Sequence, residues 1–174
     1  MDLKTAISLI QSSKIKSNAS TYWADLGCGS GLFTKALSTL LHPGSKVTAV
    51  DKDASSLKKV EVVNGIVLEK LKADFVNDDL PLKNLNGILM ANALHFVEYQ
   101  IIFLQKLQPY LDKTASIIIV EYDTDQANPW VPYPLSVERW EQLLRETEYL
   151  QFEEINRHPS AFGRAEIVGM WFSR

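Results

Sequence analysis

The feature that most constrains the fold is a set of three glycines, Gly27, Gly29 and Gly31, separated by single residues. The segment before them, ending in Ala24-Asp25-Leu26, is typical of a buried strand, and Leu32-Phe33 after them begins a helical pattern. Glycine permits a sharp turn and lets a ligand approach the backbone without meeting a Cβ atom. The N-terminus of the helix adds unpaired N–H groups and a partial positive charge. The stretch therefore predicts a loop that binds a nucleotide or a carboxylate at the end of a parallel strand.

Length and composition limit the partners. A chain of 174 residues is long enough for one domain with a sizeable core, so we treat residues 1–174 as a single domain. Its content of 46% hydrophobic and 22% charged residues is that of a soluble globular protein. The net charge of −3 and the scattered lysines and arginines provide no basic surface, so we expect no nucleic-acid partner.

The single cysteine, Cys28, excludes an internal disulfide and a metal site built from several cysteines, and we expect no metal site. No apolar run is long enough to span a bilayer, so we expect no membrane partner. The first residues lack the basic and apolar regions of a secretory signal. The predicted location is therefore the cytoplasm.

Strand patterns alternate with helical patterns along the chain. Strands are predicted over 20–26, 46–50, 66–73, 86–91 and 115–120, and helices over 33–41, 54–60, 99–110 and 136–145. Two later extended segments, 152–157 and 165–172, joined by 159–164, predict a terminal antiparallel hairpin. This order predicts an α/β fold: a doubly wound, mostly parallel seven-stranded sheet with helices on both faces and a C-terminal antiparallel hairpin strand. Within residues 1–18, an amphipathic helix over 2–14 either packs on the sheet edge or serves as a lid.

Polar residues follow the predicted strands at their carboxyl ends, where ligands of such sheets bind. Asp51, after the second strand, is placed to accept both hydroxyls of a ribose. Asp74 and Phe75, after the third, can hold an adenine through its amino group and its face. Asp25, Asn92 and Tyr122 end the remaining central strands. One crevice can collect all of these side chains.

The sequence Asp25-x-Gly27-x-Gly29-x-Gly31 resembles the first motif of the class I (Rossmann-like) S-adenosylmethionine-dependent methyltransferases. Asp51, Asp74-Phe75 and Asn92-Ala93-Leu94-His95 occupy the positions of the later motifs, the last one as in small-molecule methyltransferases. The likeness extends over about residues 20–172. It implies S-adenosylmethionine as the cofactor and a small molecule as the methyl acceptor.

The resemblance also implies a role for each cofactor-binding residue. Gly27 and Gly29 would hold the methionine part, with Asp25 nearby and the carbonyl group of Asn92 on the amino group. Asp51 would bind the ribose, with Lys52 beside the adenine, and Asp74 with the backbone at Phe75 would contact the adenine edge. The same loop contains Gly31 and Cys28. Cys28 is either a small residue filling space beneath the loop or, as an alternative, a catalytic thiol.

The chain departs from the family in ways that affect the acceptor side. Only a short segment precedes the first motif, so the site is open, or is closed by the loop 128–134 or by a second subunit in a homodimer. Asn92 is followed by Ala93-Leu94 instead of two prolines, which argues against methylation of DNA amino groups.

His95 is the first candidate for a general base, because it follows the fourth strand and titrates near neutral pH. A histidine packed beneath the next helix is the alternative. Tyr122 and Asp123 are further catalytic candidates by position, and Trp130 and Tyr133 either line the acceptor or anchor their loop.

The sequence therefore predicts a methyltransferase that uses S-adenosylmethionine on a small-molecule acceptor. A non-catalytic module that binds the same cofactor is the first alternative. A nicotinamide-dependent oxidoreductase is the second, although the third glycine does not fit the Gly-x-Gly-x-x-Gly spacing of dinucleotide-binding loops.

Overall fold

A computed structural model describes residues 1–15, 18–145, 147, 149, 151–160 and 165–173. Within them, seven strands form one sheet in the order β3-β2-β1-β4-β5-β7-β6. The strands are β1 (Tyr22–Leu26), β2 (Lys46–Asp51), β3 (Val67–Lys72), β4 (Leu85–Ala91), β5 (Leu111–Tyr122), β6 (Gln151–Pro159) and β7 (Glu166–Ser173). β1 to β5 pair in parallel, and β7 pairs antiparallel with both β5 and β6. The predicted mostly parallel sheet with an antiparallel hairpin is confirmed.

Helices cover both faces of the sheet, as predicted. The α-helices are α1 (Leu3–Ile10), α2 (Leu32–Leu40), α3 (Ala54–Lys59), α4 (Gln100–Lys106) and α5 (Val137–Leu144), with 3₁₀ turns at Leu94–Phe96 and Gln108–Tyr110. Because side chains alternate along a strand, neighbouring residues of β5 enter different cores. Ile117 and Ile119 pack in the core with α4 and α5, whereas Ile118 packs in the core with α1 and α2.

α4 and β5 differ in length from the sequence prediction, each for a local reason. α4 ends at Lys106 rather than near residue 110, and Pro109 lies in the following 3₁₀ turn because its ring nitrogen has no N–H to continue the helix. β5 extends past its β-branched run to Tyr122, because β7 continues to pair with it through Glu121↔Val168 and Tyr122↔Ile167. This extension brings Glu121 into the sheet.

α1 packs on the same face as α2 and contacts the β6–β7 hairpin. Its residues Ala6, Leu9 and Ile10 are fully buried. Gly169 permits the close approach, since a Cβ atom placed there would lie 1.7 Å from the Leu9 carbonyl oxygen. The helix ends at Ile10 rather than near residue 14, and its role as a lid stays a prediction.

Part of the predicted hairpin connection, residues 161–164, lies outside the described residues, as do residues 16–17 of the N-terminal segment. None of the helices in the described ranges combines the length and apolar character needed to cross a lipid bilayer.

Candidate active site

The glycine loop connects β1 to α2 at the carboxyl end of the sheet. Gly27, Gly29 and Gly31 have φ angles of +75°, +52° and +89°, in the left-handed region that favours glycine. The backbone N–H groups of Gly27 and Cys28 donate to the Val50 carbonyl oxygen at 2.8 and 3.1 Å, which attaches the loop to β2. The loop is therefore fixed by the backbone of its neighbouring strand.

The three glycines serve different purposes. A Cβ atom on Gly27 would lie 2.7 Å from Ala93 Cβ, and one on Gly31 would lie 2.9 Å from Val60 Cα, so both positions need glycine for packing. A Cβ atom on Gly29 would meet nothing within 4 Å. Gly29 therefore faces open space, as expected where a ligand approaches the backbone.

Asp51 connects the end of β2 to this loop. Its carboxylate accepts the Gly29 N–H through Oδ2 at 2.8 Å and the Asp53 N–H through Oδ1, also at 2.8 Å. The side chain of Asp53 caps α3 by accepting from the N–H groups of Ser55 and Ser56. The structure thus places Asp51 against Gly29, and leaves Lys52 exposed beside it.

Asp25 is a buried carboxylate beneath the loop. It is 1% exposed, and its Oδ2 accepts a 2.5 Å hydrogen bond from the Thr34 hydroxyl group. Its Oδ1 is buried without a partner among the described residues. Burial raises the pKa of Asp25 from 3.8 to about 7; the Thr34 hydrogen bond opposes this shift and the charge of Asp51 adds to it.

Asn92 provides a second buried side-chain oxygen that lacks a hydrogen-bond partner among the described residues. Its φ of +50° places it in the left-handed region, and its N–H donates to the Val120 carbonyl oxygen at 2.8 Å. Its side-chain Oδ1 is buried and has no hydrogen-bond donor in the described part of the chain. Asp25 precedes Gly27 by two residues, and Asn92 precedes Ala93, which packs against Gly27, so both residues are neighbours of the glycine loop.

Buried acceptors are paired in nearly all folded proteins, so two unpaired ones at a ligand-accessible loop indicate a ligand that donates hydrogen bonds. An ammonium group is the donor that an ionised carboxylate favours most. The amino group of S-adenosylmethionine is such a donor, so the residues present fit this cofactor.

Asp74 and Phe75 follow β3 on the other side of Gly27. Phe75 Cε1 lies 3.1 Å from the position of a Gly27 Cβ atom, and the Phe75 ring packs edge-on against Phe103. The Asp74 carboxylate accepts from the Val76 N–H at 3.0 Å and from the Asn77 side-chain amide at 3.1 Å, closing its own turn. The structure therefore brings Phe75 to the loop, and the contact of Asp74 with adenine stays a prediction.

Cys28 is buried beneath the loop against Ala49, Leu57 and Val60. Burial, with the charges of Asp25 and Asp51, raises the pKa of its thiol far above the ordinary range. Such a thiol stays protonated and is a poor nucleophile. No group of three or more histidine, cysteine or acidic side chains within the described ranges is arranged to hold a metal ion.

Glu121 is a site residue that the sequence prediction missed. It lies at the end of β5, is 4% exposed, and its Oε2 is 2.6 Å from Nδ1 of His95, which is equally buried. Its Oε1 accepts the backbone N–H groups of Ala93, Leu94 and His95 at 3.0, 2.8 and 3.2 Å. The sequence signal that could have indicated it is an acidic residue directly after the most apolar predicted strand.

The other catalytic candidates are separated by the structure. The Tyr122 ring is half-buried, with its centroid 6.3 Å from that of His95. The Asp123 carboxylate instead accepts the Val137 N–H at 2.8 Å and pairs with the Arg157 guanidinium at 2.9 Å. Tyr122 therefore lies beside His95, whereas Asp123 connects β5 to α5 and β6.

The loop 128–134 lies over the His95 turn. The Tyr133 N–H donates to the His95 carbonyl oxygen at 3.0 Å, and the Gln100 side-chain amide donates to the Tyr133 and Leu94 carbonyl oxygens at 2.7 and 3.1 Å. Tyr133 borders an open cavity of about 410 Å³ between this loop, α4 and α5. Trp130 is 79% exposed.

Comparisons with known proteins agree with this geometry. A sequence model of the methyltransferase domain matches residues 24–119, more than half of the chain and the whole span from Asp25 to His95. A search of curated protein sequences finds no match.

Solved structures of the same fold include three with distant sequences. The plantazolicin methyltransferase BpumL in complex with SAH is 17% identical over 88% of this chain and 76% of that one, with a TM-score of 0.62. The YcgJ protein from Bacillus subtilis is 10% identical over 99% and 97%, with a TM-score of 0.68. The arsenic(III) S-adenosylmethionine methyltransferase CrArsM from Chlamydomonas reinhardtii is 14% identical over 98% and 72%, with a TM-score of 0.64.

The glycine loop, the acidic residues at the strand ends and the family match agree with one another, and the spacing of the glycines does not fit the dinucleotide-binding loop of a nicotinamide-dependent oxidoreductase. The chain therefore belongs to the methyltransferase domain family and is a class I S-adenosylmethionine-dependent methyltransferase.

Proposed function

We propose that this enzyme transfers the methyl group of S-adenosylmethionine to a small-molecule acceptor, with His95 as the general base. The observation that carries the proposal is the pair of unpaired buried oxygens, Asp25 Oδ1 and Asn92 Oδ1, beside a loop that is open at Gly29. The cofactor supplies an electrophilic methyl group on a sulfonium ion. The protein has to bind it, align the acceptor, exclude water and remove a proton.

On the cofactor side, Asp25 and Asn92 bind the ammonium group, with Gly27 and Gly29 along the methionine chain. Asp51 binds the ribose hydroxyl groups, because its carboxylate keeps free lone pairs after accepting the Gly29 and Asp53 N–H groups. The adenine lies near Lys52, Asp74 and Phe75. Cys28 and Gly31 hold the loop in shape from below.

On the acceptor side, His95 takes a proton from the nucleophile, and Tyr122 is the second candidate for that role. Asp123 is the third, because its carboxylate is already paired with Arg157. Trp130 and Tyr133 line the acceptor site, since the Tyr133 backbone is hydrogen-bonded to His95. Solved structures of this fold include BpumL with a desmethylPZN analog and an arsenic(III) methyltransferase, so the fold alone does not select the acceptor.

A homodimer that closes the acceptor side is the quaternary state that the sequence predicts. This state stays a prediction, and sedimentation of the full chain with and without S-adenosylhomocysteine measures it.

Thermal-shift measurements with S-adenosylmethionine, S-adenosylhomocysteine and NAD test the cofactor. A ligand present at 100 times its dissociation constant adds about 2.7 kcal/mol to the free energy of unfolding. We expect both adenosyl compounds to raise the melting temperature and NAD to leave it unchanged. If neither adenosyl compound does so, the proposal is wrong. Turnover on phenol, amine and carboxylate acceptors then separates an enzyme from a module that only binds the cofactor.

A further inference from the structure

The contacts of Glu121 indicate which of the two ring nitrogens of His95 carries the hydrogen. Glu121 Oε1 accepts three backbone N–H groups, so that oxygen acts only as an acceptor. Its other oxygen, Oε2, lies 2.6 Å from His95 Nδ1. When Glu121 is ionised its carboxylate has no hydrogen to donate, and the hydrogen in this contact is then on Nδ1. In a neutral imidazole, Nε2 then carries the lone pair.

The second ring nitrogen of His95 remains available. Within the described ranges, Nε2 makes no hydrogen bond, and it is not among the fully buried polar atoms that lack a partner. The His95 side chain keeps 5% of its surface exposed. The lone pair of Nε2 is therefore the part of the ring that an acceptor can reach.

The turn that carries His95 is also attached to the cofactor loop. Ala93 packs against Gly27 so closely that a Cβ atom on Gly27 would come within 2.7 Å of it. Glu121 accepts the N–H groups of Ala93, Leu94 and His95 in the same turn. The turn that carries the proposed base is thus packed against the glycine loop.

We propose that Glu121 is a positioning residue that fixes His95 in the Nδ1–H tautomer, and that the acceptor is a compound whose nucleophilic atom carries a hydrogen, such as a phenol or another hydroxyl compound. This inference rests on the proposed function. In the transfer, the acceptor oxygen forms a bond to the methyl carbon, and the sulfur–carbon bond breaks with its electron pair going to sulfur. The hydroxyl proton passes to Nε2 of His95, and the resulting imidazolium is stabilised by the charge of Glu121. A tertiary amine or a thioether has no proton to lose and would not need this arrangement.

A structural role for Glu121, pairing the N–H groups of the turn, is the competing explanation. The variant Glu121→Gln separates the two. Its amide oxygen can still accept those three N–H groups, but its NH₂ group can only donate, so His95 must present a lone pair at Nδ1 and carry its hydrogen at Nε2. A structural role predicts little change in turnover, whereas a positioning role predicts a loss of about 100-fold or more.

The first test is ¹⁵N NMR of the His95 ring at pH 8 in the ligand-free protein. We expect an N–H signal at Nδ1 and a deprotonated Nε2 in the wild type, and the reverse in Glu121→Gln. The exposed Glu61→Gln variant, as a control, should keep the wild-type pattern. A wild-type ring that is protonated at Nε2, or at both nitrogens, overturns the proposal even if the Glu121 variant does not fold.

The second test compares phenols with tertiary amines and thioethers as acceptors. We expect the wild type to methylate phenols. We expect Glu121→Gln to lose about 100-fold in kcat and to keep its affinity for S-adenosylhomocysteine. Methylation confined to acceptors without a proton overturns the inference and the role of His95 as general base, and leaves the transfer of the methyl group from S-adenosylmethionine to a small molecule intact. If S-adenosylhomocysteine does not bind the wild type, the proposed function is overturned instead. The NMR result does not depend on this binding, because it is measured on the ligand-free protein.

Discussion

The glycine loop, on the proposed cofactor side, and the His95–Glu121 pair, on the proposed acceptor side, differ in how their hydrogen bonds are completed. Around the glycine loop, Asp25 and Asn92 each keep a buried oxygen without a donor. Around the acceptor, Glu121 uses both of its oxygens, on three backbone N–H groups and on His95. Unpaired buried acceptors mark a place that takes its donors from a ligand. A carboxylate whose two oxygens are both hydrogen-bonded, one of them to His95 Nδ1, is an arrangement that is set before any ligand binds.

This difference predicts how each side responds to change. Altering the cofactor side should change ligand affinity and its dependence on pH, because a ligand completes the hydrogen bonds there. Altering the acceptor side should change turnover while the affinity for the cofactor product stays constant.

The largest expected effect is on turnover. His95→Gln should lower kcat by about 10²- to 10⁴-fold, because it removes the general base. The dissociation constant of S-adenosylhomocysteine should stay within about threefold of the wild type, as calorimetry can measure. Tyr122→Phe is the matched variant and should lower kcat by less. A larger loss in Tyr122→Phe than in His95→Gln would reverse the assignment of the base.

The next effect is the pH dependence of stability from Asp25. Between pH 3.8 and about 7 the folded protein holds a proton that the unfolded chain has lost. The free energy of unfolding of the ligand-free protein should therefore fall as pH rises through this window, by about 4 kcal/mol in total. Urea unfolding of wild type and Asp25→Asn at several pH values isolates this contribution. Equal slopes in the two proteins would contradict the burial of Asp25 as a protonated acid.

The same carboxyl group makes cofactor binding depend on pH with the opposite sign. A ligand ammonium group requires ionised Asp25, so the affinity for S-adenosylhomocysteine should fall about tenfold per pH unit below pH 7. Asp25→Asn should bind more weakly and with little pH dependence between pH 6 and 7. Calorimetric titration at pH 6, 7 and 8 makes the comparison. If the affinity of the wild type did not change with pH, Asp25 would not be the partner of the ammonium group, and Asn92 would remain as that partner.

A smaller effect separates the glycines of the loop. Gly27→Ala should lower the free energy of unfolding by about 2 kcal/mol or more, because left-handed strain adds to a clash with Ala93. Gly29→Ala should lower the free energy of unfolding by about 1 kcal/mol, from left-handed strain alone. It should also weaken S-adenosylhomocysteine binding, because the new methyl group would occupy the open space that the ligand takes. Denaturant unfolding and calorimetry measure both quantities. If Gly29→Ala keeps its full affinity, the ligand does not pass over Gly29.

The smallest effect on stability should come from Trp130. Because its side chain is 79% exposed, Trp130→Ala should change the free energy of unfolding by less than about 0.5 kcal/mol. If Trp130 lines the acceptor site, the KM for the acceptor should rise while cofactor affinity stays unchanged. An unchanged KM would remove Trp130 from the acceptor site.

Local patterns explain why so much of the cofactor side could be predicted from the sequence. The strand periods, the glycine spacing from Gly27 to Gly31 and the acidic residue at the end of the second strand are all properties of short segments. Parallel strands then bring their carboxyl ends together, so residues such as Asp25 and Asn92 meet at one edge. The roles of the individual glycines were not predictable, because the atoms that touch Gly27 and Gly31 come from distant residues.

The acceptor side was less predictable because it depends on long-range pairing. His95 and Glu121 are 26 residues apart in sequence and meet only because β4 and β5 are neighbours in the sheet. The engagement of Asp123 by Arg157, on β6, is likewise set by the antiparallel hairpin. Position along the chain indicated Asp123 and not Glu121, and only the tertiary structure distinguished the surroundings of the two acids.

The central claim is that the glycine loop binds the methionine end of the cofactor. The most direct measurement is a titration of ¹⁵N-labelled protein with S-adenosylhomocysteine, followed through backbone amide shifts. The account predicts saturable shifts at Gly27, Gly29, Asp51 and Asn92, with the amides of β6 unchanged. No saturable shift at the loop, or shifts centred on β6 instead, would contradict it.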